Sequence, residues 1–123
     1  MLKIYFDGGC RPNPGAMEAA IVAGGQTQIL RRLGYGTSMD AEWLALLHAL
    51  RFAVSLGESE IVLLGDSAAV IAQANGTAKC RSGSKAHLEA FRGLASTAGT
   101  PRIRYVKRSQ NLAGIALARL HDR

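Results

Sequence analysis

Apolar residues in this chain come either in short unbroken runs or at spacings of three and four, and turn-forming residues separate the two patterns. Leu2 to Phe6 is short, apolar and β-prone, so it predicts a buried strand, and Gly8-Gly9 with Pro12, Pro14 and Gly15 is expected to stop it. Glu18 to Gly24 and Thr27 to Tyr35 predict two more strands, with Gly24-Gly25-Gln26 as a hairpin signal between them. The first three strands therefore form a meander. Thr37-Ser38-Met39-Asp40 reads as a capping box, and helical spacing continues to Leu56, where Gly57 is a natural stop.

Glu60 to Leu64 predicts a strand that is apolar after its first residue, as a central position requires, and it ends at Gly65-Asp66-Ser67. Ala68 to Ala74 and Lys85 to Thr97 carry helical spacing on either side of a polar loop, Asn75 to Ser84. Arg102 to Val106 predicts the last strand, and Gln110 to about Leu120 a terminal helix. Strand-helix-strand crossovers follow the meander, so a mixed sheet with helices on both faces is the economical arrangement. With no repeat, linker or low-complexity tail, residues 1–123 are expected to form a single α/β domain around one core.

Composition adds a partner class. Fifteen Lys plus Arg against nine Asp plus Glu give a net charge of +6, which favours a polyanion. Cys10 and Cys80 belong to no C-x-x-C motif and lie near no histidine cluster, so they are expected to be free thiols in a reducing compartment rather than zinc ligands or a disulfide. The N-terminus enters a strand with no basic leader, and no apolar run approaches the roughly 18 residues of a membrane span. The expectation is a cytoplasmic monomer with no membrane partner.

Three carboxylates carry the candidate chemistry. Asp7 follows the first strand beside two glycines, whose open N–H groups can meet a ligand, and Asp66 follows the fourth. Glu42 precedes Leu46, Leu50 and Ala53 by helical steps, so it lies on an apolar stripe, where an unpaired carboxylate is costly. Each has a plain alternative: an Asp-Gly turn, a first-turn acid favoured by the helix dipole, and an N-cap. Brought to one sheet edge, the three would repel unless a cation bound them. Oxygen ligands with open positions suit Mg²⁺ or Mn²⁺, and a pair of such ions can activate water in phosphodiester hydrolysis.

With these residues in view, the chain resembles type 1 ribonuclease H. The matching blocks are Asp7-Gly8-Gly9-Cys10 with Asn13-Pro14-Gly15, Ala41-Glu42-Trp43 with Ala45-Leu46, and Gly65-Asp66-Ser67. Val106-Lys107-Arg108-Ser109-Gln110-Asn111 resembles the histidine-lacking branch, and the likeness runs from about Lys3 to Ala118. It implies an RNase H-like fold, a five-stranded mixed sheet of order 3-2-1-4-5 with the second strand antiparallel, flanked by helices. It also implies Mg²⁺-dependent (or Mn²⁺-dependent) endonucleolytic cleavage of the RNA strand of RNA–DNA hybrids. By the same resemblance Asp7, Glu42 and Asp66 are metal-binding catalytic acids, and Gly8, Gly9, Cys10, Asn13, Thr37, Arg108 and Asn111 are substrate contacts. For Arg108, assistance to product release or proton transfer stands beside a plain phosphate contact or a solvated charge.

Four positions depart from the family pattern. The fourth acid belongs four residues after Asn111, where this chain has Ile115, and an alkyl group cannot bind Mg²⁺. Asp122 is two helical turns further on, about 10.5 Å, too far to replace it. Ser38-Met39 stands for an Asn pair and Ala68 for a Gln, which weakens the expected minor-groove contacts. Two readings follow: a ribonuclease H with a weakened second metal site, and an RNase H-fold binding module that cleaves poorly or not at all. An exonuclease of the same fold would need an acid at Gly9.

Overall fold

A computed structural model of the chain describes residues 1–99 and 101–121. The elements are β1 (Leu2–Cys10), β2 (Gly15–Ala23), β3 (Gln26–Leu30), β4 (Tyr35–Gly36), α1 (Ser38–Leu56), β5 (Ile61–Gly65), α2 (Ala68–Ala74), α3 (Lys85–Ala95), β6 (Arg102–Tyr105) and α4 (Leu112–His121). Asp122 lies outside the described residues. The sheet runs β3-β2-β1-β5-β6, with two-residue β4 paired to β2 alone. β1 pairs antiparallel with β2 and parallel with β5, and β6 continues parallel to β5. The expected order is present, with β4 as an addition.

That addition has a local cause. The run expected to reach Tyr35 as one strand leaves the sheet after Leu30, because Arg32 takes a left-handed backbone, φ 59°, and Gly34 another at 103°. The chain rejoins at Tyr35, opposite Ala16. The first strand departs in the other direction: Gly8 and Gly9 do not end it but pair with Ala19 and Glu18 of β2. On its other edge the parallel ladder to β5 stops at Tyr5, so Asp7 lies just past the last β1–β5 pair.

β1 alternates as a pleated strand must, sending its side chains to opposite faces. Ile4 and Phe6 pack with Trp43, Leu46 and Leu50 of α1, while Tyr5 packs with Ala113 and Leu117 of α4. β2 is covered on both sides, Ala19 and Ile21 in the first layer and Ala20 and Val22 in the second, which is why it shows no polar alternation. The helices start and stop where their caps dictate. Thr37 Oγ1 accepts from the Asp40 N–H at 3.1 Å and the Asp40 carboxylate accepts from the Thr37 N–H at 3.0 Å, while Gly57 closes the far end at φ 68°. No helix among the described residues is long and apolar enough to cross a membrane, and both cysteines are free thiols.

Candidate active site: three carboxylates at the mouth of the parallel strands

The approach of α1 to β1 sets the geometry. A Cβ on Gly8 would sit 2.2 Å from the carbonyl carbon of Ala41 and 2.5 Å from the Glu42 nitrogen, so only glycine permits this contact. With the helix start against the strand, the Gly8 N–H donates to Glu42 Oε1 at 2.7 Å. Glu42 is 8% exposed, and its other oxygen, Oε2, is buried with no hydrogen-bond partner. Asp66 comes from the residue after β5, where the strand's carbonyl end opens into a crevice as in other sheets with parallel strands.

One carboxylate oxygen from each of Asp7, Glu42 and Asp66 lies within 4.8 Å of the others. Burial pushes the Glu42 carboxyl up to about 9, and the Asp7 charge adds to the rise; the Gly8 N–H offsets only part of it. Asp7 is pushed up to about 6 by burial; the neighbouring Glu42 carboxyl opposes the shift, Asp66 adds to it, and Arg108 counters it. Groups held this close cannot all ionise cheaply without a cation between them. The unpartnered Glu42 Oε2 and an all-oxygen donor set fit a hard divalent ion.

The acids line a cleft of about 420 Å³ together with Gly8, Gly9 and Arg108. Cys10, Asn13 and Thr37 stand outside its wall. The Cys10 thiol donates to the Pro12 and Gly36 carbonyls, both at 3.2 Å. Asn13 ties the β1–β2 loop to α1 by donating to Ser38 Oγ and accepting from the Ser38 N–H, each at 3.0 Å. Thr37 is the helix cap, and both residues keep exposed surface at the cleft's edge.

Asn111 requires a correction. Expected as a substrate contact, it is fully buried, and its amide is spent inside the protein. Nδ2 donates to the Phe6 carbonyl at 3.0 Å and to Asp66 Oδ2 at 3.2 Å, and Oδ1 accepts from the Ala113 N–H at 3.1 Å. It positions Asp66 rather than touching substrate.

The α4 face turned to the cleft carries Gly114, Leu117 and Ala118, and Ile115 is not among the lining residues. A Cβ on Gly114 would lie 3.5 Å from Asp7 Oδ2 and 3.6 Å from Asp66 Oδ2. Sequence reasoning passed over Gly114, although the spacing of 114, 117 and 118 is that of one helical face. It also passed over Arg11, which lines the same cleft beside Ser38 and Met39, the pair already marked as standing where the family has its Asn residues. The histidines lie elsewhere: His87 pairs with Asp40 at 2.9 Å, His121 with Glu18, and half-buried His48 is held below its usual range by desolvation and Arg51.

Several solved structures share this architecture. Ribonuclease H1 from the halophilic archaeon Halobacterium salinarum NRC-1 is 30% identical, with a TM-score of 0.83 over 99% of this chain and 98% of that one. The N-terminal RNase H domain of rv2228c from Mycobacterium tuberculosis is 27% identical, with a TM-score of 0.76 over 99% and 98%. LC11-RNase H1, solved in complex with an RNA/DNA hybrid, is 22% identical and shares the fold, with a TM-score of 0.83 over 91% and 89%. The sequence matches none of the curated proteins with which it was compared. The family model described as reverse transcriptase-like matches residues 6–121, nearly the whole chain. With that match and the ribonuclease H1 likeness over its full length, the chain belongs to the reverse transcriptase-like family and, within it, to the ribonuclease HI group.

Proposed function

We propose that this protein is a divalent-metal-dependent endonuclease that hydrolyses the RNA strand of RNA–DNA hybrids, acting as a cytoplasmic monomer with Mg²⁺ or Mn²⁺. The observation that carries the reading is the buried, unpartnered Glu42 oxygen within a cluster of three carboxylates. A structural acid would be paired, because an orphaned buried oxygen costs stability. Asp7, Glu42 and Asp66 would hold the metal, which when bound supplies an activated water and polarises the phosphoryl oxygen.

The protein's own groups do the rest. Gly8 and Gly9 both line the cleft; the Gly8 N–H is spent on Glu42, which leaves the Gly9 backbone to read a 2′-OH at close approach. Arg108, on the same wall, offers a guanidinium to a phosphate. Asn111 keeps the Asp66 carboxylate in place.

A second reading, a binding module with little or no cleavage, has one observation in its favour: among the described residues α4 brings no carboxylate to the cleft, only Gly114, Leu117 and Ala118. The deciding assay compares matched hybrid, double-stranded RNA and double-stranded DNA with Mg²⁺, with Mn²⁺ and with EDTA. We expect nicking of RNA in the hybrid alone, lost in EDTA and lost in Asp66→Asn, which removes a ligand charge. Intact hybrid binding without cleavage in either metal selects the binding module.

A further inference from the structure

Beside the acidic cleft lies a second cavity, of about 540 Å³, at the junction of β2, the loop after β3 and the end of α4. Its polar lining is Arg11, Arg31, Arg32, Glu18 and His121. Arg11 also lines the acidic cleft, so the two cavities share one residue of their walls. We propose that this second cavity is a phosphate subsite, in which Arg11, Arg31 and Arg32 take a backbone phosphate of the nucleic-acid strand where it leaves the cleft. The inference rests on the nucleic-acid reading above and adds a contact outside the reacting centre.

The charge in the cavity is unbalanced in favour of an anion. Glu18, its one acid, is buried beside Gly9 and already engaged by His121 Nε2 and, at 3.7 Å, by Arg31 Nε. Arg31 keeps 60% of its side chain exposed despite that contact. Neither Arg11 nor Arg32 forms an ion pair among the described residues. A guanidinium presents a planar fork that matches two phosphate oxygens, so arginines rather than lysines suit this task.

Arg32 adds a backbone observation. It is the one non-glycine with positive φ among the described residues, and such a conformation costs of order 1 kcal/mol or more. A surface turn that needed only a left-handed residue would take glycine or asparagine at lower cost. An arginine there spends backbone strain to place a charge in the cavity wall.

The test is equilibrium binding in EDTA, which prevents cleavage, to a hybrid, a double-stranded DNA and a single-stranded RNA across a salt series. Arg32→Asn keeps a residue that tolerates the left-handed backbone and removes the charge, and Arg32→Lys keeps the charge. For Arg32→Asn the slope of log affinity against log salt should fall in magnitude by about 0.9 on a duplex, so that its deficit grows about eightfold for each tenfold drop in salt, and by about 0.7 on the single strand. Arg32→Lys should keep most of the slope. Because every nucleic acid carries phosphates, the subsite is read on whichever of the three the wild type binds. Failure to cleave hybrid in the companion metal assay would remove the ribonuclease reading while leaving this slope measurable. Equal slopes for wild type and Arg32→Asn overturn the subsite, as does wild-type binding to none of the three. Inorganic phosphate binding that depends on Arg32, without any change in nucleic-acid slope, assigns a free-anion site and also overturns the proposal.

Discussion

Replacing Glu42 with Gln isolates what the buried carboxylate does to the metal-free fold. Gln keeps an oxygen to accept from the Gly8 N–H at the 2.7 Å position, and its amide puts a donor where Glu42 Oε2 now has no partner. The folded-state pKa of Glu42 is raised from 4.5 to about 9, so between those values the folded protein holds a proton that the unfolded chain releases. Wild-type stability in EDTA must therefore fall as pH rises from about 4.5 toward about 9. Asp7, raised from 3.8 to about 6, acts in the same direction over its own window. At pH 7 the Glu42 contribution is bounded by the distance from 4.5, which is about 3 kcal/mol at 1.36 kcal/mol per pH unit.

Urea denaturation of both proteins in EDTA from pH 5 to pH 8 measures this directly. The variant should gain on the wild type as pH rises, by at most about 1.4 kcal/mol per pH unit, and be the more stable protein at pH 7. Adding Mg²⁺ or Mn²⁺ at about a thousand times its dissociation constant should reverse the ranking, since the metal binds only the folded wild-type cage and contributes about 4.1 kcal/mol there. Parallel pH curves, or a variant less stable than wild type at pH 7 without metal, would refute the argument that desolvation governs Glu42.

Asn111→Ala removes the donor to both Asp66 and the Phe6 carbonyl and leaves buried acceptors without partners; the expected loss is about 1–3 kcal/mol by urea denaturation, with weaker metal binding by calorimetry. Gly114→Ala should raise stability by roughly 0.5–1 kcal/mol, because alanine favours the helix and its methyl meets Asp7 and Asp66 at ordinary contact distance, while metal affinity and cleavage fall as that methyl crowds the acids. Greater stability with undiminished metal affinity would show that nothing binds on the α4 side of the acids.

Most of the architecture was legible because its signals are local. The Thr37–Asp40 box and Gly57 frame α1, and the unbroken apolar run of β5 marks a central strand. Glu42 was legible as an anomaly, a charge on an apolar stripe, and the structure buries it there. What escaped were features that depend on distant chain segments. Two glycines read as a strand end, yet β1 continues through them because β2 supplies their hydrogen bonds, and Gly8 is glycine because α1's backbone presses on it. The break at Arg32 escaped for the converse reason: its left-handed backbone is a conformation that arginine's local preference argues against.

Asn111 and Gly114 show how far spacing alone can carry a functional assignment. Both lie at the start of α4, and counting from Asn111 marked Ile115 as the place of an absent acid. In the fold, Asn111 points inward to clamp Asp66 to β1 through the Phe6 carbonyl, so the helix is anchored by its first residues to the strand that carries Asp7. That anchoring brings Gly114 to within about a van der Waals contact of two catalytic candidates, and a side chain there would enter the space a cation needs. The glycine and the clamp thus belong to one arrangement. Asn111 holds the helix near the acids, and Gly114 keeps the helix from filling the site it borders.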